Sequence, residues 1–240
     1  MNDVMGAVAW LTDPAQWSGA SGIPQRVGEH LAITAVVVVI AALIALPAGV
    51  AIGHTRRGAG VVGAVVGAAR SIPTLGLLTL FGLWLGIGLG APMLALVVLA
   101  IPSLLAGAYA GIQAVPAEVV DAARAVGMSE WGIVWRVEVP LGAPVIVGGV
   151  RAATLQVVAT ATLAAYIADD GLGRFLFLGL ETRDYPQMLG GAALVIVLAV
   201  VLEVALAAVQ RGVSTRVARP WSAAGRSARA PRHPMSTSVP

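Results

Sequence analysis

The stretch "LAITAVVVVIAALIALPAGVAIG", Leu31 to Gly53, contains no charged residue. A helix rises 1.5 Å per residue, so roughly 20 apolar residues cross a hydrocarbon core about 30 Å thick. This stretch is long enough, and membrane helices tolerate an internal proline such as Pro47. His54, Arg56 and Arg57 close it. The rest of the chain has the same character: 58% of its 240 residues are hydrophobic and 11% charged, with a mean hydropathy of +0.88. A soluble domain could not cover its own surface with so few polar groups. The expected class is therefore an all-α integral membrane protein.

Five spans are predicted, at about 31–53, 71–89, 91–112, 141–167 and 188–209. The apolar run 59–89 is too long for one crossing and is divided at Arg70 and Pro73, with a short interfacial helix leading to Arg70. An arginine there is expected to snorkel to lipid phosphate. The apolar stretch Leu172 to Leu180 is expected to form a short interfacial or re-entrant helix. Residues 1–30 form an extracytoplasmic segment. They lack a basic stretch followed by an apolar run and a cleavage site, so no removable leader is expected. Residues 211–240 form a basic tail that the composition marks as disordered.

Arginine placement chooses the orientation. With the N-terminus outside, Arg56, Arg57, Arg70, Arg124, Arg136 and the tail arginines face the cytoplasm, leaving only Arg26, Arg174 and Arg183 outside. The polar loop 113–140 then lies in the cytoplasm.

Within that loop, "DAARAVGMSEWGIVWRVEVP", Asp121 to Pro140, is dense in charge for so oily a chain. Pro116 suits a first helical position, Glu118 favours the positive end of a helix dipole, and Gly127 fits a left-handed cap. A helix from Pro116 to Val126 follows, with Val119, Ala122, Ala123 and Val126 on one small apolar face. Ser129 can cap a second helix bearing Trp131 and Trp135, and Pro140 leads into the fourth span. From the residues alone, this is either a solvated connection or a rigid docking hairpin.

Inside the membrane, Arg151 needs a partner, because a central charge costs about 2.5–3.5 kcal/mol on insertion scales. Glu203 is the first candidate. A structural ion pair and a place on a transport path are both open readings. Gln156 and Thr160 share a face and either line a path or pack helices together. Gly148 and Gly149 suit close helix packing.

Other chemistries lack their residues. There is no cysteine and only three histidines, so thiolate chemistry is excluded and no metal centre is expected. No G-x-x-x-x-G-K-[ST] phosphate loop occurs, so this chain is not expected to be an enzyme that hydrolyses ATP by that device.

Asp121, Ala122, Ala123, Gly127, Val137, Val139 and Pro140 resemble the cytoplasmic loop of binding-protein-dependent ABC importer permeases, E-A-A, three residues, G, nine residues, I-x-L-P. Asp replaces Glu and Val replaces Ile and Leu. "WSGASGIPQRVGEHLAIT" (17–34), "RSIPTLGLL" (70–78), "GGVRAATLQVVATATLAAYI" (148–167) and "GLGRF" (171–175) are similar to permeases of the osmoprotectant subfamily, which move glycine betaine, choline, carnitine and proline betaine. Asp169 and Asp170 depart from the small residues common there.

The resemblance implies that Asp121 to Gly127 is a coupling helix seated in a cleft of a separate cytoplasmic ATPase, which binds ATP and magnesium, while this chain holds no cofactor. Glu118 and Arg124 would orient the helix, Ala122 and Ala123 would fit the cleft, and Pro140 would end the loop. It also implies a second permease chain, identical or paralogous, and an extracytoplasmic solute-binding protein. Aromatics are only 5% of the chain, so an aromatic cage for a quaternary ammonium is expected on that binding protein. Permeases for methionine or phosphonate, an ion-coupled transporter or channel using Arg151 and Glu203, and a membrane scaffold recruiting a soluble enzyme are the alternatives.

Overall fold

The computed structural model describes the backbone of residues 2–227 and the side chains of 2–69 and 71–217. The described residues form helices joined by short turns, with no strand among them. Four helices are long and apolar enough to cross a membrane, and a bent pair makes a fifth candidate crossing.

At the start of the chain, α1 (Asn2–Thr12) packs against the last helix, and a short 3₁₀ turn, Pro14–Trp17, follows it. α2 (Ile23–Thr55) starts earlier than the expected span because Pro24 occupies its first turn, where a missing N–H costs nothing. Its end is set by Arg56, which is left-handed at φ 52°.

The second crossing differs from expectation. α3 (Ala59–Ser71) and α4 (Thr74–Leu85) meet at 82°. α4 is about 18 Å long at 1.5 Å per residue, too short for the crossing assigned to 71–89. Gly86 and Gly88, at φ 83° and 135°, turn the chain out of the helix. The Arg70 side chain lies outside the described residues, and with it the expected snorkelling.

α5 (Gly90–Gln113) is the central helix, packed against α2 on one side and against α8 (Val139–Ala161) on the other. Small residues permit both approaches. A Cβ added to Gly107 would stand 2.5 Å from the Cα of Gly149, and one added to Gly49 would stand 2.6 Å from the Cβ of Ala108. Lipid is as apolar as leucine, so close van der Waals packing is what holds such helices together. Val37, Ala41, Leu96, Ala100, Leu104, Ala153 and Val157 fill the shared core.

The polar loop contains α6 (Ala117–Ala125) and α7 (Glu130–Ile133). α7 does not stop before the fourth span. It passes through a π turn, Val134–Glu138, into α8 without a break. Pro140 has no N–H to donate to the Arg136 carbonyl, and the wider turn, in which Val139 N–H reaches Val134 O, accommodates that gap.

α8 tightens after Ala161 into a 3₁₀ turn, Thr162–Ala164, and continues as the four-residue α9 (Ala165–Ala168), so the continuous helical stretch closes at 168, beside the expected 167. The short apolar helix is α10 (Gly173–Thr182). α11 (Tyr185–Ser227) runs well past the expected span end at 209, so residues 211–227 of the tail are helical here, not disordered. Residues 228–240 of that tail lie outside the described residues.

Candidate functional site: the polar hairpin and its anchors

α6 ends in a double cap. Gly127, at φ 83°, donates its N–H to Arg124 O at 2.9 Å, and Met128 donates to Ala123 O at 3.1 Å. This is the Schellman arrangement, which satisfies carbonyls that helix termination orphans. Met128 then packs on Val115, Val120, Ala123 and Ile133. Ser129 starts α7 by accepting from Gly132 N at 3.2 Å. The turn between the helices is therefore fixed by backbone geometry.

The apolar face predicted on α6 is split. Ala123 is buried with Val120 against Ile133, while Ala122 and Val126 point outward. α7 folds back onto α6 and takes up one side of it. The surface left for a partner comprises Glu118, Asp121, Ala122, Ala125 and Val126, all exposed.

Arg124 is also committed within the hairpin. It donates to Glu130 twice, at 2.8 Å and 3.0 Å, and to Asp121 at 3.2 Å. The Glu130 hydrogen bond, ahead of its charge and that of Asp121, raises the Arg124 pKa above its ordinary value. The guanidinium ties α6 to α7 while its side chain stays 43% exposed. Pro140 lies exposed in the first turn of α8.

Two residues that the sequence reading passed over complete this network. His54, at the end of α2, places Nε2 3.1 Å from Glu130 and Nδ1 2.6 Å from Glu138. Glu138 is 1% exposed, and a buried carboxylate requires such a partner. The sequence did carry a signal: Glu138 is an isolated acid just ahead of an uncharged apolar run. Beside it, Arg56 donates to Val115 O at 3.1 Å, and Gln113 donates to Gly53 O at 2.9 Å. The hairpin, α2 and α5 are thereby tied at one end of the bundle.

The intramembrane residues occupy separate places. Arg151 donates to both carboxylate oxygens of Glu203, with Nε to Oε2 at 2.8 Å, and to Gln210 Oε1 at 2.8 Å. Gln210 in turn donates to Pro144 O. This bridge joins α8 to α11 and borders a recess of about 360 Å³ with Gly148, Ala152 and Leu155. Gln156 spans the α5–α8 contact, accepting from Ser103 Oγ at 2.6 Å and donating to Leu99 O at 3.1 Å. Thr160 donates to Gln156 O of its own helix. The structure thus joins Arg151 with Glu203, links α8 to α5 through Gln156 and bonds Thr160 within α8, without bringing all four together.

At the other end of the bundle, Arg26 bonds Glu29 and Asp169 O, and Gly171 N–H donates to Glu29 at 3.1 Å. These bonds fix the turn carrying Asp169 and Asp170 to the start of α2. No group of three or more potential metal ligands occurs among the described residues.

A bundle of helices long and apolar enough to cross a membrane, with one tightly capped polar hairpin, defines a polytopic membrane protein. Residues 41–219 match the family described as the binding-protein-dependent transport system inner membrane component, and the chain belongs to that family of transport permeases.

It is 34% identical over 191 residues to the glycine betaine/carnitine/choline transport system permease protein OpuCB of Bacillus subtilis, covering 80% of this chain and 88% of that one. It is also 34% identical to the choline transport system permease protein OpuBB of the same organism, over 76% of this chain and 84% of that one. Among solved structures, an inward-facing conformation of the MetNI methionine ABC transporter superposes with a TM-score of 0.67 at 27% identity, covering 77% of this chain and 93% of that chain. The chain is accordingly a multi-pass membrane protein of the ABC importer permease fold.

Proposed function

We propose that this chain is the permease through which an ABC importer takes up quaternary-amine osmoprotectants of the glycine betaine, choline and carnitine kind. The cargoes named for its 34% identical relatives support that reading. The observation that carries the mechanism is the continuous linkage Asp121–Arg124–Glu130–His54–Glu138, which joins the exposed face of α6 to the end of the first span.

A cytoplasmic ATPase, holding ATP and magnesium, grips Glu118, Asp121, Ala122 and Val126, with Gly127 setting the turn. Ala123 and Arg124 keep the hairpin stiff. Closure of an ATPase pair draws two such hairpins together. Because α7 is continuous with α8 and is bonded to α2 through His54, the push reaches both spans as rigid-body movement. Two permease chains enclose the path, a solute-binding protein delivers the cargo outside, and the arginine distribution supports an N-terminus outside and a C-terminus in the cytoplasm.

The test is uptake of radiolabelled glycine betaine, choline and carnitine into proteoliposomes containing this chain, its ATPase and its binding protein. The reading requires accumulation that depends on both ATP and the binding protein. Accumulation driven by an ion gradient without ATP would overturn it.

A further inference from the structure

Arg151 lies about 18 Å along α8 from its start at Val139, more than half the thickness of a bilayer core. Its bridge to Glu203 is nevertheless open, with side chains 30% and 36% exposed. Charges at such depth face protein or water, because hydrocarbon offers them no partner. The open side of the bridge therefore belongs to a polar space and not to lipid.

That space is the recess of about 360 Å³ between α8 and α11, walled by Gly148, Ala152 and Leu155 and by the polar groups of Arg151, Glu203 and Gln210. Small residues keep it open. A Cβ on Gly148 would stand 2.7 Å from Gln210 Nε2, the atom that donates to Pro144 O, so glycine lets Gln210 reach across. Ala152 is exposed on the same wall.

The bridge keeps unused hydrogen-bonding capacity. A guanidinium carries five N–H donors. Nε and Nη2 each give one to Glu203, and Nη1 gives one to Gln210. One donor on Nη1 and one on Nη2 are left without a partner among the described residues, and guanidinium nitrogens of this kind receive carboxylates. Glu203 likewise retains lone pairs beyond those that Arg151 uses. As a unit the bridge is neutral. An anion drawn by Arg151 is repelled by Glu203, and a cation suffers the reverse. A zwitterion gains at both ends.

We propose that this recess is a cargo site within the permease that selects zwitterionic quaternary amines over purely cationic ones. The cargo carboxylate accepts from the free N–H groups of Arg151, and its ammonium lies against Glu203. The inference rests on the cargo class proposed above and ranks members within it: glycine betaine and carnitine carry a carboxylate as well as the ammonium, whereas choline carries only a neutral hydroxyl.

The test measures binding of radiolabelled glycine betaine, by scintillation proximity, to the complex of this chain with its ATPase in the absence of the binding protein. The site predicts saturable binding that unlabelled glycine betaine or carnitine displaces at concentrations about tenfold below those of choline, the margin expected from charged hydrogen bonds that choline cannot make. Ala152→Leu fills the recess from an exposed position and should abolish binding without moving the thermal midpoint. Arg151→Gln combined with Glu203→Gln should weaken glycine betaine and bring it level with choline. Absence of saturable binding in the parent complex, equal displacement by choline there, or binding that survives Ala152→Leu at parental strength overturns the site. ATP-dependent uptake in the presence of the binding protein is scored separately. If the parent still accumulates glycine betaine while any of those results is obtained, this site falls and the cargo assignment stands; if it accumulates none of the three amines, both fall.

Discussion

His54 and Glu138 stand 2.6 Å apart, Nδ1 to Oε2, across 84 residues of sequence. The contact fastens the end of the first span to the π turn that carries the hairpin into the fourth. Breaking it leaves a carboxylate buried without a partner, at a cost of roughly 3 kcal/mol or more. His54→Ala should therefore lower the thermal midpoint of the purified chain and reduce uptake per ATP hydrolysed. His54→Gln, which can still donate to Glu138, should recover most of the midpoint. Unchanged coupling in both variants would remove the linkage from the mechanism.

Gly127 has open space around it, so a side chain there meets no neighbour, yet its φ of 83° is strained for any L residue. Gly127→Ala should cost about 1–2 kcal/mol through the left-handed backbone alone. Gly127→Val should be worse, because branching at Cβ stiffens the side chain. Membrane insertion should persist in both, while co-purification with the ATPase falls in that order.

The α5–α8 crossing is a second place where size decides the outcome. A Cβ on Gly107 would meet the Gly149 backbone, which cannot rotate away as a side chain can. Gly107→Leu should destabilise by about 1–3 kcal/mol or more from overpacking. Gly60, with nothing within 4 Å of an added Cβ, should accept Leu with little change. Thermal midpoints in one detergent compare the two.

Arg151 and Glu203 retain side-chain exposures of 30% and 36%, so the bridge between α8 and α11 is open on one side. Arg151→Gln and Glu203→Gln should each lower the midpoint by stranding the partner charge. The double variant should recover part of the loss, because a neutral pair strands neither. Additive losses would show that the two charges act independently.

Gln156→Leu separates packing from transport. It removes bonds to Ser103 and Leu99 worth about 0.6 kcal/mol each on average between membrane helices. The expected result is a small fall in midpoint with an unchanged KM for uptake. A raised KM at unchanged midpoint would place Gln156 on the path.

Much of this molecule could be read along the chain because its causes are local. Strongly apolar runs long enough for a bilayer gave the first, third and fifth spans. Ser129 and Gly127 announced the start of one helix and the end of another, and Arg151 demanded an acid that Glu203 alone could supply inside the membrane. The broken second crossing was less legible, since apolar composition fixes burial in lipid but not where a helix bends.

Tertiary packing decided what local patterns could not. Ala123 and Ala122 are adjacent and chemically identical, yet one is covered and one is free, because only the folded hairpin brings Ile133 onto α6. Arg124 acquired a second acid only when the fold laid Glu130 beside it. His54 and Glu138 acquired meaning only when the end of α2 met the π turn, since a buried charge is stabilised by whatever the fold brings within hydrogen-bonding distance, and that distance is not written in sequence separation.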